Sequence, residues 1–152
     1  MCSQIYDNLE KFINLHVIMK KFLTILLVLL AGCSCAHAQT IRNSSYSTIG
    51  YIQRDGTVQD GSYRTIAHIK SDGTVQDGSY RTVAYIKNDG TIQNGSYSTK
   101  GHVKSDGTVQ DSSYRTIGYI KSDGTVQDGS YRTIGQASGI KKEWAAWFFF
   151  FK

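Results

Sequence analysis

The side chains that could do chemistry in this 152-residue chain come in copies. Arg64, Arg81, Arg115 and Arg132 each follow a tyrosine, and Tyr51, Tyr85 and Tyr119 recur at another fixed position. With Lys70, Lys87, Lys104 and Lys121 they suggest a multivalent rim for an acidic glycan or lipid headgroup, where weak contacts add through avidity. The plainer reading is a solvated strand face whose cations meet cross-strand Asp partners.

Asp residues come two to most copies, which raises Ca²⁺ as a ligand. Calcium loops alternate their oxygen ligands, whereas Asp72 and Asp77 lie five apart and each sits where a turn is wanted. His68 and His102 occupy the position held elsewhere by Tyr51, Tyr85 and Tyr119, so a packing or rim role is expected, with no Cys or third His to complete a metal site. Ser62 and Ser79 recur in every copy at a turn. A nucleophile needs one asymmetric set of base and orienting group, and repetition supplies the same surroundings many times instead. No catalytic residue, metal site or cofactor is expected.

The elements that carry these residues follow from a seventeen-residue period. "IKSDGTVQDGSYRT" at 69–82 returns unchanged at 120–133, and five ungapped units run from Ser44 to Asp128. "TIRN" (40–43) precedes them as part of a unit and "GSYRTIG" (129–135) follows as another. One turn per unit is Asp-Gly: Asp55-Gly56, Asp72-Gly73, Asp89-Gly90, Asp106-Gly107 and Asp123-Gly124. This is the strongest short-range hairpin signal, because Gly accepts positive φ and Asp tolerates it. A second turn is Asp/Asn-Gly/Ser-Ser. Between the turns lie "SYRTIGYIK" and "TVQ", rich in residues that suit a pleated, half-buried surface. No helix is expected after residue 38.

The long strand does not alternate cleanly, since Ile66 and Ile69 are three apart. The residue after the first Ile is always small (Gly50, Ala67, Ala84, Gly101, Gly118, Gly135), which marks a bulge and a close approach around a central axis. One unit offers about five large groups, Tyr63 and Ile66 among them, too few to offset the entropy of ordering it. An open row would leave two bare edges without any Pro to blunt them. Pairing "TIRN" with "GSYRTIG" would close a ring of about five hairpins. An open β-solenoid fits the same periodicity.

The unit "GYIKSDGTVQDGSYRTI" (118–134), with "TIRNSSYSTIG" (40–50), resembles the exported bacterial 5-fold β-flower proteins over residues 40–135. The resemblance implies a closed five-petalled β structure and no particular activity. Lys100 at an Ile position, and Ser47 and Ser98 where other units carry Arg, depart from strict equivalence of the petals.

Residues 1–18 carry Asp7 and Glu10 and read as an upstream extension of the reading frame. Residues 19–38 read as a signal peptide: Met19-Lys20-Lys21, a ten-residue apolar run and a small-residue cleavage site. Cleavage after Ala36-His37-Ala38 would free Gln39. A lipobox reading of Leu30–Cys33 would instead lipidate Cys33, giving a membrane anchor. Cys2, Cys33 and Cys35 all precede Gln39, so no disulfide framework follows. The net charge of +5 is spread evenly and does not point to nucleic acid. The tail, residues 136–152, ends in "EWAAWFFFFK", too short to span a bilayer. It is expected to be a plug or extra strand on or in the repeat domain, the alternative being a docking surface. The expectation is an exported, non-catalytic structural or binding module of the bacterial envelope, periplasmic, outer-membrane-associated or extracellular, with an envelope glycan or a protein as partner.

Overall fold

The computed structural model describes residues 16, 19–21 and 39–152. The chain divides into two units, Met1–Cys35 and Ala36–Lys152. In the first, residues 16 and 19–21 are helical and exposed. The expected signal-peptide core and Cys33 lie outside the described residues, among which no helix is long and apolar enough to cross a membrane.

Turn chemistry cuts the second unit into short antiparallel strands. They are β1 (Gln39–Asn43), β2 (Thr48–Ile52), β3 (Thr57–Asp60), β4 (Thr65–Ile69), β5 (Thr74–Asp77) and β6 (Thr82–Ile86). The series continues with β7 (Thr91–Asn94), β8 (Thr99–Val103), β9 (Thr108–Asp111), β10 (Thr116–Ile120), β11 (Thr125–Asp128) and β12 (Thr133–Gln136). Each pairs with its neighbours in sequence, and β1 pairs with β12, Arg42 opposite Gln136 and Asn43 opposite Gly135. The barrel is closed, so the solenoid alternative falls, and no bare edge remains. The described residues form six strand pairs rather than about five, because the split repeat supplies a complete pair of its own. Strands of four or five residues are about half the nine to eleven that a membrane-spanning strand needs.

A bulge stands where the small residue predicts it. Opposite Val58 and Gln59 the register passes from Ala67 to Thr65, leaving Ile66 without a partner, and β1–β2, β5–β6, β7–β8, β9–β10 and β11–β12 repeat the slip. Ile49, Ile66, Ile117 and Ile134 pack half-buried against the core, whereas Val83 and Lys100 at the same position are exposed. The core itself is one inward residue per short strand (Ile41, Val58, Val75, Ile92, Val109, Val126) and its partners on the long strands, such as Ile52 and Ile69. Tyr63, counted with the core from sequence, is 65% exposed.

The tail corrects the expectation of no further helix. Lys142–Ala146 forms helix α1 and Trp147–Phe151 a π-helical turn, with Ala145, Ala146, Trp147 and Phe148 buried. It is a plug, but not a strand. A closed barrel has no free ladder to pair with, so an inserted segment must satisfy its own backbone, and only a helix does that. The small residues make room for the neighbouring strand and for this plug alike: a Cβ on Gly50 would stand 2.7 Å from the Gln59 carbonyl oxygen and 3.0 Å from the Phe148 ring, and one on Gly135 2.5 Å from both the Arg42 carbonyl oxygen and Phe149. The Lys152 ammonium lies over the Phe148 ring, 4.2 Å from its centre.

Candidate functional site

The two turns of each repeat share one geometry but differ in one residue. At the Asp-Gly turn, Lys70 N donates to Thr74 O (2.8 Å) and Gly73 N to Lys70 O (3.0 Å), with Gly73 at φ 83°. At the other turn, Asp60 N donates to Arg64 O (2.9 Å) and Tyr63 N to Asp60 O (3.0 Å), with Tyr63 at φ 62°. Both are three-residue hairpin loops closing on a left-handed residue, a position glycine ordinarily fills. Here the second turn carries tyrosine, and Tyr46, Tyr63, Tyr80, Tyr97, Tyr114 and Tyr131 all lie at φ between 61° and 64°. A side chain in that region costs about 1–2 kcal/mol. The cost is repeated six times along one end of the barrel, and the Asp-Gly turns at the other end avoid it.

Each of these tyrosines is exposed, yet most are held in place. Tyr63 stacks on Tyr51 with ring centres 4.5 Å apart, Tyr97 on Tyr85 at 4.6 Å and Tyr131 on Tyr119 at 4.6 Å. His68 and His102 serve as the same platform for Tyr80 and Tyr114, at 5.0 and 4.7 Å, in keeping with the packing role their Tyr-equivalent position suggests. The paired hydroxyls are 2.8 Å apart in Tyr51–Tyr63, 3.0 Å in Tyr85–Tyr97 and 2.9 Å in Tyr119–Tyr131. Those hydrogen bonds push the phenols of Tyr51, Tyr85 and Tyr119 above their usual value. Tyr46, at the seam, has Gln136 at the platform position and is the most exposed, at 74%.

The arginines of the rim are already engaged. Arg64, Arg81, Arg115 and Arg132 each place a guanidinium nitrogen 2.7–2.8 Å from Asp60, Asp77, Asp111 or Asp128. The same aspartates organise the turn: Asp60 Oδ1 accepts from Ser62 N (2.8 Å) and Arg64 N (3.0 Å). The backbone N–H of Arg64, with lesser help from Ser62 and the guanidinium, holds the Asp60 carboxyl below the usual range. In the two turns without arginine the aspartate is also gone. Asn43 accepts from the backbone of Ser45 and Ser47, and Asn94 from Ser96 and Ser98. Arg goes with Asp and Ser with Asn, so each of the six turns is neutral.

The sequence joined Tyr, Arg and Lys in one rim, and the fold separates them. Lys70, Lys87, Lys104 and Lys121 open the Asp-Gly turns at the opposite end. There Asp55, Asp72, Asp89, Asp106 and Asp123 each accept from the backbone N–H two residues on, at 2.8–2.9 Å. Gly56, Gly73, Gly90, Gly107 and Gly124 lie at φ 82–88°. These aspartates do turn work, as read from sequence. Tyr51, Tyr85 and Tyr119 belong to the site as half-buried platforms, and the exposed rings above them were missed. The signal was present: laying "DGSYR" over "KSDGT" puts tyrosine where glycine stands.

A family model described as 5-fold beta-flower protein matches residues 38–152. The chain belongs to that family. The match runs through the plug as well as the repeats, so this beta-flower chain carries its aromatic tail inside the family's span rather than beyond it. No curated protein and no solved structure matches it.

Proposed function

We propose that this beta-flower protein is a non-catalytic, exported binding module whose tyrosine rim stacks on a neutral glycan of the bacterial envelope or its surroundings. The observation that carries the reading is the left-handed backbone of six exposed tyrosines. Strain kept at a surface position that glycine would relieve is a mark of use, not of folding. A phenol ring fixed on an aromatic platform presents an open, weakly negative face, which suits the C–H side of a pyranose. Equivalent tyrosines are two strands apart, about 10 Å at ordinary strand spacing, close to the length of a disaccharide, so one chain could engage several rings and gain avidity.

Neutrality of the turns favours an uncharged glycan over the acidic polymer considered from sequence, since Arg64, Arg81, Arg115 and Arg132 are each matched by an aspartate of the same turn. Six near-copies of one surface also favour binding over catalysis, which needs one asymmetric set of groups. The export half of the proposal rests on Met19–Ala38, through either a free Gln39 or an acylated Cys33.

Affinity electrophoresis through gels containing soluble neutral or acidic polysaccharides tests this. Retardation by a neutral polymer, unchanged by added salt, is the expected result. Retardation by acidic polymers alone, falling steeply with salt as screened charge contacts do, would reject the tyrosine rim in favour of an ionic surface. Mass spectrometry of the mature N-terminus in cells tests export independently.

A further inference from the structure

Three of the stacked pairs join two phenols. In Tyr51–Tyr63, Tyr85–Tyr97 and Tyr119–Tyr131 the rings are within 12–14° of parallel, and their hydroxyls are 2.8–3.0 Å apart. Parallel rings with touching hydroxyls bring the ortho carbons beside those hydroxyls face to face. One ring of each pair is about two-thirds exposed, at 65% for Tyr63, 65% for Tyr97 and 66% for Tyr131, and so is open to an oxidant. The order around the barrel matters as much. Platforms read Tyr51, His68, Tyr85, His102, Tyr119 and Gln136 in succession, so each phenol pair is flanked by petals whose platform is not a phenol.

We propose that these three pairs are sites of intramolecular dityrosine cross-linking, formed with hydrogen peroxide as oxidant and a haem peroxidase as its activator. Each phenol gives up one electron and its hydroxyl proton, leaving two phenoxyl radicals in contact. Their ortho carbons join in one C–C bond, and the two displaced ortho hydrogens move to the phenol oxygens as the rings regain aromaticity. The peroxide accepts the two electrons and two protons and leaves as two waters. Each link ties a barrel strand to the tip of the next hairpin: β2 to the β3–β4 turn, β6 to the β7–β8 turn and β10 to the β11–β12 turn. This inference rests on the stacks alone and does not depend on glycan binding.

The test is oxidation of the dilute full chain with horseradish peroxidase and substoichiometric peroxide, read by dityrosine fluorescence, intact mass and peptide mapping. Monomers should lose two hydrogens per link, and the links should map to Tyr51–Tyr63, Tyr85–Tyr97 and Tyr119–Tyr131. The variant Tyr51→His/Tyr85→His/Tyr119→His copies the native His68 and His102 platforms, and its monomer fluorescence should fall to background. Links chiefly between molecules, links mapping to other tyrosines, or undiminished fluorescence in the variant would each overturn the proposal. Should the triple variant not fold, Tyr85→Phe keeps the stack and should remove about one-third of the intramolecular yield; an unchanged yield would equally overturn it.

Discussion

Gly101 and Phe151 meet where a β-carbon would have to be: one built on Gly101 would lie 2.6 Å from the Phe151 ring, and closer still to the Gln110 carbonyl oxygen of the adjoining strand. Phe148, Phe149, Phe150 and Phe151 approach Gly50, Gly135, Gly118 and Gly101 in turn, on β2, β12, β10 and β8. Four consecutive tail residues thus sweep four successive long strands around the barrel. The two remaining long strands carry Ala67 and Ala84 at the same position. Gly101→Ala should therefore overpack and destabilise by about 1–3 kcal/mol. Ala67→Gly meets no clash and should cost roughly 0.5–1 kcal/mol of added backbone freedom plus about 0.8 kcal/mol for its buried methyl. Urea unfolding measures both. Coupling separates the ring clash from the strand clash: in a Phe151→Ala background the Gly101→Ala penalty should shrink without vanishing, since the Gln110 carbonyl remains, and an unreduced penalty would mean that the neighbouring strand alone, not the ring, requires the glycine.

Because the plug buries Trp147 and Phe148, its loss should empty the barrel centre. A chain ending at Gly139 is expected to melt well below the full chain or to precipitate, since inward Ile and Val side chains would lose the surface they pack on. Differential scanning calorimetry decides it. An unchanged melting midpoint would show that the barrel stands without its tail.

The closed barrel was legible in the repeat because edge pairing has only two outcomes for a periodic chain, and the split halves at Thr40–Asn43 and Gly129–Gly135 named the one taken. The bulge was legible from Gly or Ala after the first Ile. The helical plug was not, because "WAAWFFFF" lacks a period that separates helix from strand; enclosure by a barrel without free edges decides its form. The exposed tyrosines were hidden for a different reason. Tyrosine in an apolar stretch ordinarily counts towards a core, and its left-handed backbone shows only when the two hairpin turns are superposed. The Arg–Asp match depended on which side chains the turn brings within reach, four positions apart across a loop rather than along a helix.

Stability should fall in acid through the turn aspartates. The backbone N–H of Thr74 holds Asp72 below the usual carboxyl range, Thr91 does the same for Asp89, Thr108 for Asp106 and Thr125 for Asp123. A carboxyl depressed in the folded chain contributes stability in full above its unfolded value near pH 4, and that contribution is lost as pH falls through the lower folded value. Melting midpoints should be flat near neutrality and decline below about pH 5. Asp72→Asn retains an oxygen for Thr74 N but carries no charge, so its decline should be shallower. A slope identical to the parent's would mean these turns do not set the acid response.

Strain and use can be separated at the rim with one substitution. Tyr80→Gly removes about 1–2 kcal/mol of left-handed strain and gives up a ring stack on His68 worth about 0.5–1.5 kcal/mol. The two nearly cancel, so Tyr80→Gly and Tyr114→Gly should leave the unfolding midpoint within a few degrees of the parent. If the rings serve a glycan, the double variant should lose several-fold in affinity for the same neutral polysaccharide while remaining as well folded. A tyrosine kept for the fold would give the opposite pattern: a large drop in the unfolding midpoint, with binding per folded molecule intact. Calorimetry and affinity electrophoresis on one preparation tell the two apart, and the neutral-glycan reading requires the first.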